Sequence, residues 1–149
     1  MVITTDVEVD AAPAVLWAVL ARPQTWPDWT ESMDAVELLD GGLELGSRVR
    51  ITQPGMPPMV WTVSEFEQGR VFTWTSSAGG VTTLASHTVG PLDGGRRSRL
   101  VLGLTQRGPL APLVGLLLGR RTRRYVGQET AGLKAAAEDR ARALDPSAG

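Results

Sequence analysis

One N-terminal strand, two short helical pieces, an unbroken series of strands and then one long helix: this order constrains the chain more than any other feature. Val2 to Val9 alternates, with Ile3, Thr5, Val7 and Val9 on one face and Thr4, Asp6 and Glu8 on the other, the pattern of a strand with one wet face. Asp10-Ala11-Ala12-Pro13 ends it, and Pro13 suits the first turn of a helix. Val15, Leu16, Val19 and Leu20 give that helix an apolar stripe beside Trp17, and Arg22-Pro23 stops it. Gln24 to Trp29 reads as a second short helix or turn, with Trp26 and Trp29 spaced to share a face.

Six further segments read as strands: Ala35–Leu39, Ser47–Gln53, Met59–Glu67, Arg70–Thr75, Val81–Val89 and Ser98–Gln106. Asp40-Gly41-Gly42, Pro54-Gly55-Met56-Pro57-Pro58, Gln68-Gly69, Ser77-Ala78-Gly79-Gly80 and the Gly-rich stretch from Pro91 to Arg97 punctuate them. From about Leu110 to Leu144 the spacing is helical, and Val126, Thr130, Leu133 and Ala137 share a face. Such an order packs only with difficulty unless the sheet wraps around the last helix, and a wrapped sheet leaves a wedge beneath it. Gly115, Gly119, Gly127 and Gly132 each cost the helix about 1 kcal/mol against alanine, so they are expected to bend it or to widen that wedge. Thr82, Thr83, Ala85 and Ser86 keep a central strand small-sided. The expectation is an internal cavity; the competing expectation is a core filled by the tryptophans.

Composition narrows the function classes. A chain of 149 residues with 42% apolar side chains suffices for one domain, expected over 1–144, with a flexible tail at 145–149. The net charge of −1 gives no global field favouring nucleic acid or an anionic surface. Cysteine is absent, which removes disulfides and thiolate chemistry. The longest apolar run, Leu113 to Leu118, falls far short of a bilayer span, so no stable membrane insertion is expected. The first residues lack a basic stretch followed by an apolar one, and the expected location is the cytoplasm.

Several segments carry a resemblance. Val9-Asp10-Ala11-Ala12-Pro13 before Val15-Leu16-Trp17, then Trp26-Pro27-Asp28-Trp29, Trp61-Thr62-Val63-Ser64-Glu65-Phe66, His87, Gly94-Gly95 to Leu102, and Leu133 to Glu138 together resemble the START-like (SRPBCC, Bet v 1-like) superfamily, in its polyketide cyclase/dehydratase-type branch. The likeness spans nearly the whole chain. It implies an α+β helix-grip fold: a seven-stranded curled antiparallel sheet around the C-terminal helix, with two small helices closing one end. It implies no fixed catalytic set, because members include cyclases, lipid carriers and hormone receptors.

Chemistry-bearing candidates are few, and each has a plainer alternative. His87 is the only histidine. It shares a face with Thr83, Ala85 and Val89, expected to point inward, where it can serve as an acid or base for aldol-type cyclisation or dehydration. Otherwise it is a hydrogen-bonded histidine near a strand end. Glu65 alternates with Trp61 and Val63, so it could face the same pocket as a base, or else face solvent. Trp61, Phe72 and Trp74 could form an aromatic wall, or simply core. Leu102 on the last strand and Val126 on the helix would complete that wall. Trp26 and Trp29 are expected to cap the sheet end or gate the cavity mouth. Arg120, Arg121, Arg123 and Arg124 crowd the helix, and Arg124 is the candidate to reach a ligand carboxylate or enolate; the alternative is a solvated basic face. No aromatic interleaving accompanies that patch, so nucleic acid is not expected. One histidine without carboxylates at ligand spacing makes no metal site, and no cofactor is expected. The Gly-rich pieces are hairpin turns and none opens a helix in the dinucleotide pattern.

Three functions compete on these grounds. The first is a carrier or binding protein, monomer or homodimer, for a small hydrophobic, aromatic or polyketide-like molecule. The second is a cyclase or dehydratase using the same cavity. The third is an adapter domain with a filled core.

Overall fold

The first two strands of the chain end up on opposite edges of one sheet. The computed structural model describes residues 1–145, and all but the first residue of the tail expected at 145–149 lie outside the described residues. The strands are β1 (Val2–Val9), β2 (Ala35–Leu38), β3 (Arg48–Thr52), β4 (Met59–Glu67), β5 (Val71–Ala78), β6 (Val81–Leu92) and β7 (Arg97–Arg107). They form a seven-stranded sheet in the order β1-β7-β6-β5-β4-β3-β2, antiparallel throughout. The link from β1 to β2 crosses the concave face as helix α1 (Pro13–Leu20) and a 3-10 turn (Pro23–Asp28). Helix α2 (Ala111–Leu144) lies along the same face. This is the helix-grip arrangement.

Sequence pattern explains the register. On β1 the expected inward set of Ile3, Thr5, Val7 and Val9 is buried or half-buried while Thr4, Asp6 and Glu8 are exposed. Pairing of β6 with β7 places His87 opposite Leu102 and Ala85 opposite Leu104, so both inner faces read as one surface. Two strands extend past the expected ends: β5 runs to Ala78 and β6 to Leu92, because turn-type residues there still find ladder partners.

The C-terminal half of α2 is held tightly. Thr130 Oγ1 donates to the Val126 carbonyl at 2.8 Å and lies 2.7 Å from Thr5 Oγ1 on β1. Lys134 Nζ donates to the Glu8 carbonyl at 2.8 Å, and the Asp10 amide donates to Glu138 Oε2 at 2.9 Å. Leu133 and Ala137 are fully buried beneath this clamp. At Gly132 an added Cβ would lie 2.5 Å from Cε3 of Trp29 and 2.7 Å from its carbonyl, so only glycine lets the two segments meet this closely. The helix glycines therefore do not widen a wedge as expected: Gly115 and Gly119 seat Met1, Gly132 seats Trp29, and Gly127 faces open space.

Candidate functional site

Where α2 is not clamped it stands off the sheet, and a cavity of about 350 Å³ lies beneath its residues 114 to 129. Its volume falls at the small end of ligand pockets, about 300–1,000 Å³. The walls are chiefly apolar: Trp61 and Trp74 from adjacent strands β4 and β5, Ala85 from β6, Leu104 from β7, and Val114 and Leu118 from α2. Thr83 and Val126 also line it. Ala85 stands opposite Trp74 in the β5–β6 pairing and, being small, leaves room above itself. The void lacks the plug that the filled-core alternative needs. Around its mouth stand the β3–β4 loop with Met56, the β5–β6 turn with Ala78 and Gly79, and Arg121 of α2.

Aromatic packing closes the inner end. Trp26 is fully buried, with its ring centroid 5.5 Å from Trp74, 5.4 Å from His87 and 6.3 Å from Phe72. Its Nε1 donates to the Val19 carbonyl at 3.4 Å, tying the 3-10 turn to α1. Trp26 thus caps the sheet end, and Trp29 packs 5.8 Å from it beside Gly132.

His87 and Glu129 meet in this wall. The imidazole of His87 is buried and stacks on Phe72 at 4.3 Å. Its Nδ1 lies 3.2 Å from the Phe72 carbonyl, which can only accept, so Nδ1–H donates there. Its Nε2 lies 3.2 Å from Oε1 of Glu129, whose side chain is 14% exposed. With Nδ1 already carrying a hydrogen, that second bond needs one more proton, held by either ring nitrogen or carboxyl oxygen. Both residues line the cavity, so this contact stands at its wall. Sequence reasoning missed Glu129. It follows Val126 by three positions and precedes Leu133 by four, so a carboxylate stood on the inward helix stripe, the signal that could have found it.

Of the other expected site residues, Trp61, Trp74, Thr83, Ala85, His87 and Val126 line the cavity. Phe72 and Leu102 are buried behind it, supporting His87 and the sheet without facing the void. Glu65 is a correction. A β-bulge between Val63 and Glu65 leaves Ser64 unpaired, flips the alternation, and turns Phe66 inward to contact Trp17 at 5.9 Å. Glu65 is exposed on the outer face, accepting from Thr73 Oγ1 at 2.9 Å. Arg124 is the second correction: it is exposed, with its guanidinium 5.6 Å over the ring of Tyr125. On a helix each neighbour turns by 100°, and it is Arg121 that comes round to the cavity. Arg121 has no hydrogen bond or ion pair among the described residues. Tyr125, one turn on, donates its hydroxyl to the Pro54 carbonyl at 2.9 Å and pins the mouth loop to α2. Among the described residues no group of side chains could hold a metal ion.

A curled sheet gripping one long helix over an apolar pocket is the helix-grip fold. The family described as polyketide cyclase / dehydrase and lipid transport matches residues 1–138, and the chain belongs to that family. No match is found among curated protein sequences. Solved structures share the fold. A START superfamily protein from Mycobacterium smegmatis is 16% identical, with a TM-score of 0.68 over 97% of this chain and 99% of that one. Zhui aromatase/cyclase from Streptomyces sp. R1128 is 22% identical, with a TM-score of 0.68 over 100% of this chain and 98% of that one. A norcoclaurine synthase point mutant from Thalictrum flavum, solved with a transition-state analogue, is 17% identical, with a TM-score of 0.72 over 93% of this chain and 94% of that one. At these identities the likeness is one of fold.

Proposed function

We propose that the protein binds a small, flat, apolar molecule, aromatic or polyketide-like, in the cavity under α2. The observation that carries this reading is the unfilled void of about 350 Å³ between Trp61, Trp74 and the first half of α2. Indole faces suit a planar ring system, and burial of a ring against them contributes beyond its area alone. Arg121 at the mouth suits a carboxylate or enolate at the outer end of the ligand. Membership of a family that includes cyclisation and lipid transport accords with the same ligand class.

The test uses 1-anilinonaphthalene-8-sulfonate, a planar apolar anion, with tryptophan fluorescence as the readout. The native chain should bind it with quenching of Trp61 and Trp74, and Ala85→Trp, which fills the void, should abolish binding while the melting temperature holds. No binding by the native chain, or equal binding by Ala85→Trp, overturns the reading.

A second reading is favoured by the His87–Glu129 pair. In a dehydration, this pair would take a proton from the carbon beside a ketone and return one to a β-hydroxyl, which leaves as water, so the number of protons on the enzyme is unchanged. Conversion of a poly-β-ketone by the native chain and its loss in Glu129→Gln would support catalysis. Recovery of the compound unchanged supports carriage.

A further inference from the structure

Among the described residues, nothing covers the outward face of the first half of α2. Leu113 is 51% exposed, Leu116 82% and Leu117 69%, while Val114 and Leu118 of the same turns line the cavity. Contiguous exposed leucines of this kind mark an interaction surface. One turn further on, the same outward face carries Arg120, Arg123 and Arg124, all exposed. From 107 to 128 the sequence holds five arginines and no acidic residue, although the whole chain has a net charge of −1. The positive charge is thus concentrated beside the mouth.

We propose that this face seats the protein on the surface of an anionic lipid bilayer, with the cavity mouth turned toward the membrane. Spacing and charge together fit a bilayer surface. At 1.5 Å per residue, Arg120 stands about 6 Å along the helix from Leu116, so a helix laid on the surface presents leucines and guanidiniums side by side, and interfacial helices bury their apolar side chains about 5–10 Å into the headgroup boundary. The leucines would enter the acyl layer while the guanidiniums meet lipid phosphates, to which arginine binds in bidentate fashion. Contact is peripheral, because no helix among the described residues is long and apolar enough to cross a membrane. An acidic protein is the competing partner. Its interfaces favour aromatic anchors, and the exposed apolar residues of this face are all leucines. An apolar ligand concentrates in bilayers, so a mouth docked there opens onto its source.

The experiment is flotation of the full chain with vesicles of phosphatidylglycerol or of phosphatidylcholine, without any cavity ligand. The native protein should float with phosphatidylglycerol, much less with phosphatidylcholine, and should be released by salt. Replacing Arg120, Arg123 and Arg124 together by Gln should weaken binding by roughly a hundredfold, at about 1 kcal/mol for each basic residue near the surface. Leu116→Ser with Leu117→Ser should weaken it by at least about tenfold. These side chains are exposed, so melting temperature and probe quenching should be unchanged, which separates failure here from failure of the cavity reading. Absence of binding to phosphatidylglycerol, indifference to either set of substitutions, or saturable binding to acidic proteins in place of vesicles would overturn the proposal.

Discussion

Nε2 of His87 on β6 and Oε1 of Glu129 on α2 lie 3.2 Å apart, a polar contact that joins sheet to helix at the wall of the cavity. Both groups are largely removed from water, so losing Glu129 leaves Nε2 of His87 unpaired and losing His87 leaves the Glu129 carboxyl without this bond. Glu129→Ala is expected to lower the unfolding free energy by about 1–3 kcal/mol. Glu129→Gln, whose amide can still bond to Nε2, should cost less. Urea denaturation monitored by tryptophan fluorescence measures both, and a milder effect from Ala than from Gln would contradict the geometry.

Arg121 and Arg124 differ by position and should differ in effect. Arg121 lines the cavity without an ion pair among the described residues, whereas Arg124 is exposed over Tyr125. Arg121→Gln should weaken binding of the sulfonate probe by about tenfold, the equivalent of one charge-assisted hydrogen bond. Arg124→Gln should leave probe affinity within about twofold, as should Glu65→Gln on the outer face, in keeping with surface substitutions worth about ±0.5 kcal/mol. Titration of fluorescence quenching checks all three.

Two glycines of α2 make opposite predictions for the same substitution. Gly127 faces open space, so Gly127→Ala should raise stability by about 0.5–1 kcal/mol through helix propensity alone. At Gly132 the new methyl group would press on the Trp29 ring and backbone, so Gly132→Ala should lose about 1–3 kcal/mol to overpacking. Thermal melts of the pair decide it, and a gain at both sites would refute the close seating of Trp29.

Acid sensitivity follows from Glu138. Burial raises its pKa, but the hydrogen bonds from Lys134 and the Asp10 amide, with the charges of Lys134 and Arg142, outweigh that and hold it below the usual 4.5. A carboxylate lowered in the folded state contributes stability above the unfolded value and loses it as pH falls through the folded value. The native chain should therefore weaken below about pH 4.5, and Glu138→Gln should flatten that part of the profile. Denaturation midpoints taken between neutral pH and the acid limb provide the measurement.

Much of the architecture was legible because alternation and turn residues agree along the chain. Every strand was visible as a run between turn residues, several of them alternating, and α2 as a helical stripe from Val126 to Ala137. Alternation set Trp61, Trp74, Thr83, Ala85 and His87 on candidate inner faces, and all five line the cavity, whereas Phe72, set on the same face as Trp74, is buried behind it. What alternation cannot carry is an extra residue: the bulge near Ser64 reverses the faces beyond it and moves Glu65 outside. Helix phase was the other blind spot. Which arginine turns inward depends on where α2 is anchored, and that is fixed by Thr5, Glu8 and Asp10 on and just after a distant strand. Glu129 shows the reverse case, a carboxylate whose phase was readable but whose histidine partner lies 42 positions away.

The bulge in β4 has a consequence for how pockets of this kind diversify. Whether the extra residue is taken up in a bulge or paired in the ladder decides whether a phenyl ring or a carboxylate looks toward Trp17 from the end of that strand. Pairing Ser64 into the ladder would bring Glu65 to the inner face with no change in the identity of any side chain, whereas deleting Ser64 would leave a regular strand with Phe66 still inside. The inner face of such a scaffold is thus open to revision through register alone, a route quite separate from substitution in the lining itself.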